Sequence, residues 1–147
     1  RLIDFVLAHI PGTADPLGAR HDWYALIEFA SGDLGGALKT MVERLLERAM
    51  EDGLVLDAVL ASSTQQRKAL WKLRESMTEA QKPEGASIKH DVSVPVSAVP
   101  EFLAEATELC ERMVPGARVC AFGHAGDGNI HFNVSRPLDW QDAAFQA

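Results

Sequence analysis

The sequence predicts an α+β fold, in which an antiparallel sheet carries its helices on one face. Stretches with apolar–polar alternation or continuous apolar character are separated by stretches with helical spacing, in the order β-α-β-(α)-β-α-β-β. Apart from one extra helix and an extra C-terminal hairpin strand, this order forms two βαβ-like halves. The arrangement predicted is therefore ferredoxin-like.

The N-terminal half supplies a short helix, a loop and two predicted strands. Apolar spacing predicts the helix over residues 1–10, and two prolines with two glycines predict the loop over 11–20. Strands are expected at 23–30 and 54–61, the second of them buried. Between them Asp33 is expected to cap a helix that ends at Gly53. The apolar stripe of that helix consists of Leu34, Leu38, Met41, Leu45 and Ala49.

The next part of the chain alternates between helix and strand. Ser62, Ser63 and Thr64 are expected to cap a helix that continues to about Lys82. On this helix Trp71, Arg74 and Thr78 share a face distinct from the core-facing one. Alternation over 88–94 separates Lys89, Asp91 and Ser93 from Ile88, His90, Val92 and Val94. Ser97 is then expected to cap a helix whose core positions are Val99, Leu103, Ala106, Cys110 and Met113.

The stretch Gly123-His-Ala-Gly-Asp-Gly-Asn-Ile-His131 predicts a β-hairpin. Asp127-Gly128 favours a two-residue type I′ turn, because both central residues of that turn need positive φ. In this register His124 is directly opposite His131, with Cβ atoms roughly 4.5–5.5 Å apart. Two adjacent imidazoles can bind one divalent metal ion, but a working site needs at least a third protein ligand. Asp127 points away at the turn, so the hairpin is a candidate metal site without that ligand.

The same alternation assigns the hairpin residues to two faces. Val119, Ala121, Ile130, Phe132 and Val134 form an apolar face, and Cys120, Phe122, His124, His131 and Asn133 form the opposite one. If Lys89 lies with the second group, the open sheet face is a polar, functional surface. The alternative is a surface hairpin with two unrelated histidines.

The composition is that of one soluble globular domain over residues 1–147. The chain is 47% hydrophobic and 24% charged, and no apolar run reaches the ~18–20 residues of a membrane span. A net charge of −7 argues against binding to nucleic acid or anionic membranes. Cys110 and Cys120 do not make a disulfide framework and are expected to be buried thiols. We therefore expect a cytoplasmic protein.

The two ends of the chain predict that it is part of a longer protein. The sequence begins at Arg1 without methionine and stops at Ala147, a few residues into a predicted helix. It also carries no Gly-rich dinucleotide fingerprint.

Two motifs occur in a specific order and spacing. One is Leu70-Trp-Lys-Leu-Arg-Glu75 followed by Lys89-His-Asp-Val-Ser-Val-Pro95, and the other is His124-Ala-Gly-Asp-Gly-Asn-Ile-His131 followed by Phe132-Asn133. Both resemble motifs in the C-terminal domain of the FAD-linked oxidase family, which includes D-lactate, glycolate-oxidase-subunit and D-2-hydroxyglutarate dehydrogenases. The layout from Tyr24 to Pro137 also fits, so the resemblance covers most of the chain.

The resemblance implies an FAD-dependent oxidoreductase that passes a hydride from a D-2-hydroxy acid to the flavin. In this family an N-terminal domain holds most of the FAD, and the C-terminal domain covers the isoalloxazine and shapes the substrate pocket. His124 and His131 match paired ligands that hold a divalent ion, usually zinc, against the substrate oxygens, where it lowers the hydroxyl pKa. The positions that match substrate ligands are Arg74, Thr78, Lys89 and Asn133, and the candidate cofactor contacts are Gly126 and Asn129.

This chain departs from the family pattern at its C-terminal end. The family's Glu-His-Gly motif, which supplies the remaining metal ligand and the base, would lie beyond Ala147. No catalytic residue is therefore expected within the chain, and the piece alone is expected to be inactive. Of the other histidines, His90 is expected to be a hydrogen-bonded structural residue, and His9 and His21 are expected to face solvent.

Two other functions fit parts of the sequence. A non-catalytic ferredoxin-like ligand-binding or regulatory domain would not need the histidine pair. A stand-alone two-histidine metalloenzyme, such as a hydrolase, would need a third ligand and a nucleophile, and neither is found. The flavoenzyme interpretation leaves open the particular 2-hydroxy acid, the electron acceptor and the choice among zinc, iron and manganese. It also allows a homo-oligomer and peripheral membrane attachment of the full-length enzyme.

Overall fold

The computed structural model describes residues 1–32 and 36–145, which fall into two compact units. One unit comprises Arg1–His9 and Met77–Ala147, and the other comprises Ile10–Ser76. The helices are α1 (Leu2–His9), α2 (Ala37–Glu51), α3 (Thr64–Glu75), α4 (Met77–Ala80), α5 (Val99–Met113) and α6 (Asp142–Phe145). The strands are β1 (Ser87–Ser93), β2 (Arg118–His124) and β3 (Asn129–Ser135). None of the helices in the described ranges is long and apolar enough to cross a membrane.

The strands confirm the predicted α+β class and the antiparallel sheet. The sheet has three strands in the order β1-β3-β2, and β3 pairs antiparallel with both neighbours. The outer strands therefore run parallel to each other, with α5 as the connection between them and β3 inserted in the gap. This split βαβ unit corresponds to the second of the two predicted ferredoxin-like halves.

Helix α5 packs on the apolar face of the sheet. Ile130, Phe132 and Val134 of the central strand form the core with Ala117 and Phe145. Phe102 of α5 meets Phe132 edge to face, with ring centroids 5.5 Å apart. The predicted core positions Val99, Leu103, Ala106 and Cys110 are confirmed as packing against this core.

Two details predicted for α5 are wrong. Met113 is 71% exposed, because it lies in the last turn, beyond the positions that face the sheet. Ser97 does not cap the helix, because residues Val96–Ala98 form a 3₁₀ turn and Ala98 takes the cap position without a side-chain hydrogen bond.

The first predicted ferredoxin-like half is not formed as expected. Within residues 23–30 and 54–61 the structure assigns no strand, and the second segment is not buried. Leu54 and Leu56 are 80% and 79% exposed, and Trp23 is 70% exposed. Apolar composition favours a strand only where a neighbouring backbone supplies the hydrogen-bond ladder. Neither segment has such a partner among the described residues.

Helix α2 follows its prediction at one end only. Gly53, at φ 71°, occupies the predicted left-handed position after the helix. The predicted cap Asp33 and the stripe residue Leu34 lie outside the described residues, and the helix starts after Gly36. Val42 is the buried residue of α2, whereas Met41 and Leu45 of the predicted stripe are about half exposed (53% and 52%).

The single helix predicted from Thr64 to about Lys82 is two helices. Ser63 caps α3 as predicted, by accepting a hydrogen bond from the Gln66 amide. At Ser76 the helix ends and α4 begins one residue later, consistent with the weak helix propensity of serine. The predicted face of Trp71, Arg74 and Thr78 is therefore divided between α3 and α4.

A cluster around Glu84 connects three parts of the sheet-containing unit. The Glu84 carboxylate accepts hydrogen bonds from Arg118 at the start of β2 and from His9 Nε2 at the end of α1, the latter at 2.6 Å. Arg118 also donates to the Glu84 and Arg136 carbonyl oxygens and lies over the Phe5 ring. His9 is exposed, as predicted, although it lies beside the Glu84 carboxylate, whereas His21 is half-buried beside the Asp57 carboxylate, so the expectation that it faces solvent is wrong.

Replacing Glu84 with glutamine is expected to lower the free energy of unfolding by about 2 kcal/mol near neutral pH. Burial opposes ionisation, but hydrogen bonds from His9 and Arg118 outweigh it and lower the pKa of Glu84 below its ordinary value of 4.5. The carboxylate therefore stabilises the fold fully above that value, and this stability is lost as the pH falls through the lowered folded pKa. Urea unfolding at a series of pH values measures the effect.

The difference between wild type and Glu84→Gln should shrink as the solution is acidified, because a protonated carboxyl resembles an amide. The control is Glu108→Gln, which removes an exposed carboxylate paired with Arg112 and should change stability by less than about 0.5 kcal/mol. A Glu84 difference that is constant down to about pH 2 would contradict the assignment.

Candidate functional site

The face of the sheet opposite α5 carries polar side chains from all three strands. Lys89 of β1 is directly opposite Asn133, and Asp91 is directly opposite His131. On the other side of β3, Phe122 is opposite His131 and His124 is opposite Asn129. Directly paired residues share a face, so the predicted placement of Lys89 with the histidines is confirmed.

The predicted register of the hairpin is wrong by two residues. His124 pairs with Asn129 rather than with His131, and the loop is four residues long, 125–128. Two hydrogen bonds hold the longer loop. Within the hairpin the Asp127 carboxylate accepts from the Asn129 amide at 3.0 Å, and the Gly128 carbonyl accepts from the amide of Val94, just after β1. A shift of two residues preserves the face of every side chain. The two imidazoles therefore share a face as diagonal neighbours, which typically lie ~7–8 Å apart at the backbone.

His131 is held from both sides. Its Nδ1 is hydrogen-bonded to the carboxylate of Asp91 on β1. On the β2 side, the Phe122 ring lies against the imidazole, with centroids 4.9 Å apart and planes inclined by 39°. A carboxylate only accepts, so Nδ1 carries the proton and Nε2 is left as the nitrogen that can bind a further group.

Asn133 is buried rather than open to solvent. It is 4% exposed, and its Nδ2 donates to Oε1 of Gln81 at 3.0 Å. Gln81 is itself 1% exposed, and its own amide donates to the Met77 carbonyl at the start of α4. The Nδ2 end of the Asn133 side chain therefore points toward Gln81.

The other predicted site residues lie in different settings. Lys89 and Thr78 are exposed in the sheet-containing unit, on β1 and α4. Arg74 is half-buried near the end of α3, in the second unit. Gly126 is exposed in the hairpin loop, and Asn129 is half-buried at the first position of β3.

The sequence did not identify Asp91 or Gln81 as parts of the site. The alternation of β1 had already placed Asp91 on the same face as Lys89, but it carried no information on the pairing of β1 with β3. For Gln81 no signal in the sequence points to Asn133, since the two residues are 52 positions apart.

Three further side chains can be compared with their predictions. The His90 Nδ1 is hydrogen-bonded to the Phe132 carbonyl, so it has the predicted structural contact on the opposite face of the sheet. Cys110 and Cys120 are free thiols. Cys120 is buried as predicted, and burial raises its pKa beside its neighbour Ser135, whereas Cys110 is only half-buried.

The residues present fit part of a metal site. No group of three or more His, Cys, Asp or Glu residues in 1–32 and 36–145 is arranged to hold a metal ion. The chemistry of His131 nevertheless fits a ligand, because metal-binding histidines ordinarily donate the second ring N–H to a carboxylate. His124 on the same face is the second candidate donor.

Comparisons with known proteins identify the family. The family model described as FAD linked oxidases, C-terminal domain, matches residues 1–145. D-2-hydroxyglutarate dehydrogenase of Xanthomonas citri pv. viticola is 42% identical over 147 residues, which is 100% of this chain and 30% of that protein.

Other relatives give the same pattern. D-2-hydroxyglutarate dehydrogenase of Stutzerimonas stutzeri is 36% identical over 137 residues, 91% of this chain and 29% of that protein. The mitochondrial D-2-hydroxyglutarate dehydrogenase of Arabidopsis thaliana is 35% identical over 133 residues, 90% of this chain and 23% of that protein. The chain thus spans about 30% or less of the relatives it matches. It belongs to the FAD-linked oxidase family and corresponds to the C-terminal domain of that family.

Proposed function

We propose that this chain forms the substrate side of an FAD-dependent dehydrogenase that oxidises a D-2-hydroxy acid, with D-2-hydroxyglutarate as the substrate. The observation that carries the proposal is the polar sheet face, where Lys89, His131 and His124 lie together on adjacent strands. The matched relatives are named for this activity. D-lactate and glycolate, which other family members oxidise, are the substrates to compare.

The proposed substrate has two carboxylates, and the chain offers two cations for them. Lys89 supplies a compact charge on the polar sheet face, and Arg74 supplies a planar fork suited to bidentate carboxylate binding. Thr78 and Asn133 are proposed as neutral hydrogen-bonding partners of the substrate. For Asn133 the candidate atoms are the second amide N–H and the carbonyl oxygen, because one N–H already donates to Gln81.

We assign His124 and His131 as ligands of a divalent ion, with zinc as the first candidate. When bound, FAD supplies the hydride acceptor and the divalent ion supplies a Lewis acid beside the substrate oxygens. The chain itself binds and orients the hydroxy acid through its cations and positions the two imidazoles. The proposal places no catalytic base among these residues, and it keeps Gly126 and Asn129 as candidate cofactor contacts.

Two further proposals concern the cellular location and the oligomeric state of the protein. Some matched relatives are named as mitochondrial and others are bacterial. For this chain we keep the prediction of a cytoplasmic protein, with homo-oligomerisation to be measured.

Replacing Arg74 with alanine in the full-length protein is expected to lower kcat/KM for D-2-hydroxyglutarate by about 10- to 100-fold, because a charged hydrogen bond contributes ~1.5–3 kcal/mol. The wild type should be yellow and should reduce an electron-accepting dye with D-2-hydroxyglutarate. D-lactate lacks the second carboxylate. If Arg74 binds the distal carboxylate of D-2-hydroxyglutarate, the loss of kcat/KM should be small for D-lactate. If Arg74 binds the proximal carboxylate, the loss should be equal for the two substrates.

Arg112→Ala is the matched control, since Arg112 lies on α5 and pairs with the exposed Glu108. A full-length protein that never binds flavin would contradict the proposed function. Binding of the hydroxy acid without flavin reduction would favour the alternative of a ligand-binding domain.

A further inference from the structure

We propose that Asp91 is a positioning residue for His131: it fixes the ring orientation and tautomer of this histidine, so that Nε2 is the nitrogen presented for metal binding. The inference rests on the proposed function for its metal. Its structural basis, the contact between Asp91 and His131, stands independently of that function.

The first support is the register of the sheet. Asp91 on β1 is directly opposite His131 on β3, in a ladder that pairs seven residues of each strand. Directly opposed side chains on one face are in reach of each other without any distortion of the backbone. The register of β1 therefore delivers a carboxylate to Nδ1 of this histidine.

The second support is the position of Phe122 on the other side of β3. Its ring lies against the imidazole at 4.9 Å between centroids. Phe122 restricts the tilt of the ring, and Asp91 determines which edge faces β1. The two contacts together leave one edge of the imidazole, the one that carries Nε2, for another partner.

The third support is that the contact has little to contribute to folding. The side chains of Asp91 and His131 are 72% and 38% exposed, and exposed ion pairs typically contribute only ~0–1 kcal/mol. A carboxylate bonded to the far nitrogen of a metal-binding histidine, by contrast, has a known chemical effect. It fixes the tautomer and raises the basicity of the ligand nitrogen.

The test uses the full-length protein with its flavin, as wild type, Asp91→Ala and Asp91→Asn. Competition with a chelating dye measures Zn²⁺ and Co²⁺ affinity, and NMR of ¹⁵N-histidine-labelled protein at about pH 8, where an ordinary histidine is neutral, reports the tautomer of His131. Asp91→Ala should bind Zn²⁺ about 10- to 100-fold more weakly and should lose the preference for a proton on Nδ1. Asp91→Asn retains an oxygen acceptor and should lose less on both measures.

Glu108→Ala is the matched control, because it removes an exposed carboxylate that forms an ion pair with Arg112 on α5. It should leave metal affinity and the His131 tautomer unchanged. Flavin content and the melting temperature should be the same in all variants. A wild-type His131 protonated on Nε2 would overturn the inference. So would a Zn²⁺ affinity that is equal in Asp91→Ala and in a wild type that binds Zn²⁺.

The outcomes also separate this inference from the proposed function. If wild type binds neither Zn²⁺ nor Co²⁺, the metal-assisted function fails, and the tautomer alone then decides the role of Asp91. If wild type binds metal and oxidises the hydroxy acid but Asp91→Ala is indistinguishable from it, the positioning role fails and the function stands.

Discussion

Replacing His131 with alanine in the full-length protein is expected to lower kcat/KM for D-2-hydroxyglutarate at least about 100-fold, because a Lewis acid beside the reacting oxygens contributes several kcal/mol. The substitution removes the proposed metal ligand at the centre of the polar sheet face. It also removes the partner of Asp91 and Phe122. Metal content and dye reduction by the purified protein, at matched flavin content, measure the loss.

His90→Ala is the control, because His90 lies on the adjacent strand but on the face that packs against α5. It loses a hydrogen bond to the Phe132 carbonyl and should affect stability by ~1 kcal/mol, with metal content unchanged. Retention of full metal content and activity by His131→Ala would refute the assignment of His131 as a ligand.

Replacing Gly128 with alanine is expected to destabilise the sheet-containing unit by about 3 kcal/mol or more. Gly128 has φ 68°, a conformation that costs an ordinary residue roughly 1–2 kcal/mol. An added Cβ would also collide with the Val94 carbonyl oxygen, which belongs to the backbone and cannot move aside easily. The collision would break the contact between the Gly128 carbonyl and the Val94 amide. Urea or thermal unfolding measures the loss.

Gly126→Ala, two residues earlier in the same loop, is the matched control. A Cβ at Gly126 meets nothing within 4 Å, and its φ lies outside the left-handed range. This variant should be neutral or more stable by up to about 1 kcal/mol, through the lower entropy of the unfolded chain. Similar destabilisation in both variants would show that neither the positive φ of Gly128 nor its close approach to Val94 explains the effect.

The faces of the sheet could be predicted from the sequence because strand alternation has a period of two. His124, His131 and Lys89 lie on one face, as predicted, even though the hairpin register is shifted. The shift itself was beyond a local prediction. Asp127-Gly128 favours a two-residue turn, but the Gly128 carbonyl is held by Val94, which is far away in the sequence.

The remaining differences have a similar origin in contacts between distant parts of the chain. The pairing of Asp91 with His131 depends on β1 adding to the far side of β3, and strand alternation does not specify which strands pair. The segments around Trp23 and Leu54 have strand-like composition, but composition does not supply a partner strand. The local capping signals Ser63 and Gly53 were predicted correctly because they depend on neighbouring residues, whereas Ser97 was not, because a 3₁₀ turn precedes α5.

The order of the strands places the two candidate ligands in different hydrogen-bonding environments. Within the described residues, β3 is bonded to a strand on each side, whereas β2 is bonded to a strand on one side only. His131 lies within the doubly bonded strand, and His124 is the last residue of β2, next to the loop. A group bound between them would thus meet one fixed donor and one that can adjust. For the proposed site we therefore expect adaptation to substrates of different size at the hairpin tip, and selection of the bound ion at the central strand.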